Sequence, residues 1–257
     1  MVRKLLGKPI VMGILNCTPD SFFSASRKQT EEEIRARACE IVAEGGSIID
    51  IGACSTRPGG EWASAEEELE RLRFAIPIVK AAAPNITLSV DTFRAEIARV
   101  CVKEFGDIII NDVSEGTDAA MFPMVAQLGV PYILTSNQSN IHDMMLSFAE
   151  KVQQLRDLGQ KDIILDPGFG FGKTLEQNFN ILKDIDFLRE HDLPILIGAS
   201  RKSMITKTLG ITAQEALNGT TVINTVALSK DAADILRVHD VKAATEAIRL
   251  TECLRKV

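Results

Sequence analysis

Eight short apolar runs, rich in β-branched residues, recur along the 257-residue chain, and each is followed by a longer amphipathic stretch. The runs cover 10–15, 47–51, 86–90, 107–110, 130–134, 162–165, 194–197 and 234–238. Their mean spacing, about 32 residues, is the length of one βα unit. Continuous apolar runs of this length suit strands buried on both faces, which means a parallel sheet. The stretches between them read as helices. One opens at Thr30, which forms a capping box with Glu33, and is closed by Gly45 and Gly46. The others cover 64–83, 94–105, 119–128, 142–158, 175–189, 213–230 and 242–255. Eight strands alternating with eight helices predict an α/β fold, a (β/α)8 TIM barrel. A doubly wound open sheet is the rival architecture. No Pro/Ser/Gly-rich linker or charge block divides the chain, so a single domain over 1–257 is expected.

Composition narrows the partners. The net charge is −6 and aromatic residues make up 5% of the chain. Neither a phosphate-backbone binder nor a base-stacking platform is built that way, so no nucleic-acid partner is expected. The five cysteines (Cys17, Cys39, Cys54, Cys101, Cys253) have wide, irregular spacing and no C-x-x-C pair. They read as reduced thiols of a cytoplasmic protein. No apolar run approaches the ~18–20 residues of a membrane span. The stretch after Lys8 is too short for a signal peptide's apolar region.

In a barrel of this kind the active site lies at the C-terminal ends of the strands. Every apolar run here is followed by polar groups: Asn16 after the first, Ser55-Thr56-Arg57 after the second, Asp91 and Asn111-Asp112 at the third and fourth. Thr135-Ser136-Asn137 follows the fifth, Asp166 the sixth, Ser200-Arg201-Lys202-Ser203 the seventh and Arg237-Val238-His239-Asp240 the last. Helix N-capping accounts for Asp, Asn, Ser or Thr at any one of these positions. It does not account for Arg57, Lys202 and Arg237, because cations are disfavoured at helix N-termini. Cations and carboxylates facing one mouth suggest a small, polar, phosphate-bearing substrate.

Several familiar chemistries are excluded. The run Gly168-Phe169-Gly170-Phe171-Gly172-Lys173-Thr174 is glycine-rich, but a P-loop needs glycine at 167, which is Pro. The dinucleotide fingerprint needs glycine at 173, which is Lys. These glycines are expected to turn a loop tightly and bring backbone close to a ligand. His142, His191 and His239 form no metal-binding pattern, and no G-x-S-x-G elbow is present. His142 and His191 read as surface or helix-edge residues, whereas His239 follows Arg237 at alternate spacing and is placed to face the mouth.

Taken in order, the strand-end segments resemble the dihydropteroate synthase family, pterin-binding barrel enzymes of folate synthesis. The segments are Met12-Gly13-Ile14-Leu15-Asn16-Cys17-Thr18-Pro19-Asp20-Ser21-Phe22, Asp50-Ile51-Gly52 with Ser55-Thr56-Arg57-Pro58-Gly59, and Ser89-Val90-Asp91-Thr92. Ile110-Asn111-Asp112, Asp166-Pro167-Gly168-Phe169-Gly170-Phe171-Gly172-Lys173, Ser200-Arg201-Lys202-Ser203 and Arg237-Val238-His239-Asp240-Val241 complete them. The resemblance implies a reaction that joins 6-hydroxymethyl-7,8-dihydropterin pyrophosphate to p-aminobenzoate. The C–O bond breaks first, and the arylamine captures the pterin cation. It also implies roles. Asp91, Asn111, Asp166 and Lys202 would bind the pterin, and Asn16, Arg57, Arg237 and His239 the pyrophosphate. Thr56, Pro58, Phe171 and Ser203 would form the p-aminobenzoate pocket. Asp91, Lys202, Arg57 and Asn16 would be the catalytic set, with Asn16 the protein ligand of Mg2+. A homodimer is the family expectation.

Three positions depart from the family pattern. Phe23-Ser24-Ala25-Ser26 replaces a more glycine-rich stretch of the first loop, and Cys54 stands where Glu is common. The fifth strand ends Leu134-Thr135-Ser136-Asn137, where the family has Leu-Met-His-Met, so a thioether contact to the pterin face is lost. Two alternative functions remain beside the synthase: a pterin-binding methyltransferase-like domain, and a non-catalytic pterin-binding paralogue.

Overall fold

Eight parallel strands close into a barrel. The computed structural model describes residues 7–17, 27–54 and 63–256. The strands are β1 (Ile10–Asn16), β2 (Ile48–Gly52), β3 (Thr87–Asp91), β4 (Ile109–Asp112), β5 (Tyr132–Thr135), β6 (Ile163–Asp166), β7 (Leu196–Ile197) and β8 (Ile235–Val238). They pair in the order β6-β5-β4-β3-β2-β1-β8-β7. A parallel bridge between Leu165 and Ile195 joins the two ends of that order and closes the ring. The open doubly wound sheet is thereby excluded. β7 has only two ladder residues, because the N–H of Ile195 turns instead to the carboxylate of Asp234, at 2.7 Å.

The helices are α1 (Arg27–Ala43), α2 (Ala65–Ala82), α3 (Ala95–Phe105), α4 (Met121–Leu128), α5 (Ile141–Asp157), α6 (Leu175–Lys183), α7 (Ser203–Leu209), α8 (Leu217–Ser229) and α9 (Val241–Leu254). Three expectations need correction. Thr30 is not an N-cap: the backbone is already helical at Arg27, since Arg, Lys and Gln at 27–29 are good helix formers and extend the helix past Thr30. The stretch 175–189 is not one helix. It breaks at Asp184, whose backbone leaves the helical region (φ −111°, ψ 20°), and continues as a 3₁₀ turn over Ile185–His191. That turn stacks His191 edge-on against Phe148, with centroids 5.9 Å apart, so His191 is half-buried rather than a plain surface residue. The short α7 lies outside every helix read from the sequence, because seven residues show too little periodicity to register.

Alternation along the strands builds two cores. Odd and even side chains of a strand point to opposite faces. The outward set packs under the helices. The inward set forms a separate cluster of Ile10, Met12, Ile48, Ile109, Ile133, Ile164, Leu196 and Ile235, which plugs the barrel. Among the described residues no helix is long and apolar enough to cross a membrane.

Candidate active site

Two residues further along, the inward positions of β2, β4, β5, β6 and β8 become polar. Above the isoleucine plug stand Asp50, Asp91, Asn111, Thr135, Asp166, Gly198 and Arg237. Strand register sets Asn16, Gly52, Asp91 and Asn111 level with one another across β1 to β4. Thr135 is level with Asp166 across β5 and β6. Period-two alternation thus brings six sequence-distant segments to one floor.

Arg237 organises one side of that floor. Its Nε donates to Asp50 Oδ2 at 2.6 Å and its Nη2 to Asp91 Oδ2 at 2.7 Å. Asp50 is fully buried, and its Oδ2 also accepts from Asn111 Nδ2 at 3.1 Å. One guanidinium therefore serves two carboxylates. Burial, reinforced by the charge of Asp50 and opposed by Arg237, pushes the Asp91 carboxyl up to about 7. Burial works against the charge of Arg237 too, but the two carboxylates outweigh it and hold its pKa above the ordinary arginine value.

Lys202 and Asp166 face each other on the opposite side. Asp166 Oδ1 accepts from the N–H of Gly168 at 2.8 Å. A methyl built on Gly198 would lie 3.6 Å from Asp166 Oδ2 and 4.0 Å from Lys202 Nζ, so both groups border the space that this glycine leaves open. Lys202 Nζ donates to the carbonyl of Phe169 and lies 4.3 Å from the centre of the Phe171 ring. Burial pulls the Lys202 ammonium down to about 8, against the attraction of Asp166. Burial likewise raises Asp166, against the charge of Lys202.

The glycine-rich run turns tightly, as its glycines predict. Gly168, Gly170 and Gly172 have φ of +67°, +84° and +62°, a region that disfavours side chains. A Cβ on Gly168 would strike the Ser136 carbonyl at 2.2 Å. Lys173 ties this loop to the end of β5 by donating to Ser136 O at 2.8 Å and Gly168 O at 2.9 Å. Thr174 and Gln177 then start α6 with a capping box.

Four inward-facing polar atoms are buried with no hydrogen-bond partner in the described protein: Asp50 Oδ1, Ser89 Oγ, Asn111 Oδ1 and Thr135 Oγ1. Orphaned polar atoms of this kind cost about 1–3 kcal/mol each unless something meets them. Their concentration at one mouth marks a ligand floor.

His239 flanks the site. Its Nδ1 is 3.1 Å from Ser200 Oγ, and its carbonyl accepts from Arg37. Burial, then the charges of Arg237 and Arg201, pull its pKa down to about 4, so near neutral pH it offers a hydrogen bond rather than a charge. A cavity of about 690 Å³ runs outward from here past Asn16, Arg37, Arg201 and Lys242. Asp91, Asn111, Asp166 and Lys202 do not line it, so this opening adjoins the polar floor without coinciding with it.

The structure therefore gathers Asp91, Asn111, Asp166, Lys202 and Arg237 at one mouth, with Asn16 and His239 at its edge. Phe171 sits beside Lys202, and Ser203 opens α7 as an exposed residue. Thr56, Arg57 and Pro58 lie outside the described residues. Asp50, Thr135 and Gly198 belong to the site without having been assigned a role from sequence. The signal for Asp50 was present: it is the one charge inside the second apolar run, two residues after Ile48. Thr135, where the family has Met, turns inward and sets its methyl against Gly168.

The profile of the pterin binding enzymes matches residues 12–239. The chain belongs to that family. It is 38% identical to a dihydropteroate synthase from Clostridium beijerinckii, over 95% of this chain and 93% of the relative. It is 36% identical to the Escherichia coli K12 dihydropteroate synthase, over 96% and 92%. A crystal structure of the Clostridium difficile dihydropteroate synthase, determined in the presence of pteroic acid, matches with a TM-score of 0.91 at 32% identity, covering 98% of each chain. Within the pterin binding enzymes, this chain falls among the dihydropteroate synthases.

Gly198 gives a direct test of the ring space. The contacts of an added methyl there are ordinary van der Waals distances, so Gly198→Ala is expected to fold with a melting temperature close to that of the unaltered protein. The methyl enters the gap between Asp166 and Lys202, so affinity for a pterin should fall by about 10-fold or more. Unchanged affinity by calorimetry would place the ring elsewhere.

Proposed function

We propose that this chain condenses 6-hydroxymethyl-7,8-dihydropterin pyrophosphate with p-aminobenzoate, giving 7,8-dihydropteroate and pyrophosphate. The observation that carries the reading is a polar floor with an acceptor, Asn111 Oδ1, left without a partner beside the Arg237–Asp91 pair, and Asp166 and Lys202 bordering one gap across from it. A pterin edge carries adjacent N–H donors and a carbonyl. Asn111 and Asp166 supply acceptors and Lys202 supplies a donor.

In the proposed reaction the methylene C–O bond breaks, and its electron pair leaves with the pyrophosphate. The arylamine nitrogen then forms the new C–N bond and loses a proton to solvent. Asp91 holds negative charge near the developing cation. Arg237, with Arg57 and a neutral His239, receives the leaving group. Phe171 and Ser203 would serve the p-aminobenzoate side, a role that the family resemblance also gives to Thr56 and Pro58. Among the described residues no three His, Cys, Asp or Glu side chains converge to hold a metal. A divalent cation here would take most of its ligands from pyrophosphate and water, which suits Mg2+. Asn16, whose Oδ1 overhangs Gly52 next to Asp91, would hold it through that oxygen. When bound, Mg2+ would neutralise charge on the leaving group.

A pyrophosphate-release assay tests the reading. Release should require both substrates and Mg2+, and removing Mg2+ should weaken binding of the pyrophosphate ester far more than binding of the bare pterin. Silence with the authentic substrates would overturn the assignment. The pH profile of kcat/KM, which reports the free enzyme, is a second check. Below about 7 Asp91 takes up a proton and weakens its pair with Arg237, and above about 8 Lys202 loses its charge. A maximum between these values is expected, and a flat profile from pH 6 to 9 would contradict these roles.

The expected homodimer has support on one face. Val222 and Val226 of α8 and Leu250 and Leu254 of α9 are exposed on two helices that pack together. We assign the subunit contact to that face. Sedimentation as a monomer at micromolar concentration would contradict it.

A further inference from the structure

We propose that Asp50 is a positioning residue that locks the side-chain amide of Asn111 with its oxygen toward the mouth, so that the site demands a hydrogen-bond donor on the ring edge it faces. The inference rests on the pterin reading above and goes beyond it, to the residue that sets the polarity of the pocket.

The argument is one of donors and acceptors. A carboxylate oxygen only accepts. Asp50 Oδ2 accepts from Asn111 Nδ2, so the amino end of that amide points down into the barrel. The other end, Asn111 Oδ1, is buried with no protein partner. Asp50 itself has no freedom to release the amide: it is fully buried, and the same Oδ2 is pinned by Arg237 Nε at 2.6 Å. On the far side of the floor Asp166 also presents acceptor capacity, since the Gly168 N–H engages only its Oδ1. Two acceptors then face the ring. The cyclic guanidine edge of a pterin answers them with its 2-amino group and N3–H. A ring carrying oxygen in place of the 2-amino group would set oxygen against Asn111 Oδ1.

Without Asp50 the Asn111 amide is free to turn over and accept either ring. Asp50→Ala removes the acceptor. Asp50→Asn keeps it: Arg237 cannot accept, so it holds the new amide with its oxygen at the Oδ2 position, still able to receive Asn111 Nδ2. The two variants separate the acceptor from the mere presence of a side chain.

The test is calorimetric binding of 6-hydroxymethylpterin and its 2-oxo analogue to the full chain, with thermal melts to establish folding. The unaltered protein should favour the 2-amino ring by on the order of 10²-fold or more. Asp50→Ala should lower that ratio at least about 10-fold, and Asp50→Asn should restore it to within about 3-fold. If Asp50→Ala does not fold, Asp50→Leu, of similar shape with no acceptor, serves in its place. A ratio unchanged in Asp50→Ala or Asp50→Leu, whatever the absolute affinities, overturns the proposal. So does an equal loss of the ratio in Asp50→Asn. Failure of the unaltered protein to bind either ring would instead overturn the pterin reading, so the two failures are distinct.

Discussion

Lys202→Ala is expected to lower kcat/KM by about 10³-fold, about 4 kcal/mol of transition-state stabilisation. Two losses combine. The ammonium borders the ring space beside Asp166, and its removal takes away a donor there. Lys202 is also the strongest influence holding Asp166 down against burial. Without it, burial raises the Asp166 carboxyl further and weakens it as a charged acceptor. The residual pterin affinity of the variant should therefore improve as pH rises, whereas that of the unaltered protein should fall above about 8. The fold should survive, because among the described residues Lys202 Nζ bonds only the Phe169 carbonyl and rests on the Phe171 ring. Steady-state kinetics with calorimetry at three pH values would show this, and a variant with the unaltered rate would refute the role.

Arg237→Gln should be as damaging to activity, and unlike Lys202→Ala it should also destabilise the protein. It strands Asp50 and Asp91, both of which Arg237 now bonds inside the barrel. Removing one partner of a buried ion pair costs about 3–5 kcal/mol. The pH dependence has a definite sign. A carboxyl whose folded pKa is raised confers stability at low pH that is lost as pH rises through that value. Asp91 already sits at about 7 with Arg237 in place, and it rises further without it. The gap in melting temperature to the unaltered protein should thus widen from pH 6 to pH 8. Arg237→Gln combined with Asp50→Asn should recover much of the stability and little of the activity. Recovery of both would mean that Arg237 is structural only.

How much of this was legible in the sequence follows from the range of each signal. The strands were, because both of their faces are buried, one in the plug that includes Ile48, Ile109, Ile133 and Ile164 and the other under the helices, so each leaves a continuous apolar run in any local window. The polar floor was legible in part for the same reason: Asp91, Asn111, Asp166 and Arg237 each follow a plug residue by two or fall at a strand end. Asp50 was passed over because it sits inside an apolar run and reads locally as strand. Its meaning appears only when Arg237, 187 residues away in sequence, closes over it. The seven-residue α7 was hidden by its length, and the break at Asp184 by the continuity of apolar spacing across it. Thr135 was visible as a departure, but its inward direction and its orphaned hydroxyl needed the register with Asp166.

A crystal structure of the protein with 6-hydroxymethylpterin bound examines the main assertion with the fewest intermediaries. The ring should lie edge-on to Asn111 and Asp166, with Lys202 within hydrogen-bond reach and its methylene arm directed toward Arg237. A pterin seated instead in the outer cavity between Arg37 and Lys242, or one that leaves Asn111 Oδ1 unmet, would show that the polar floor of the barrel is not where this chemistry occurs.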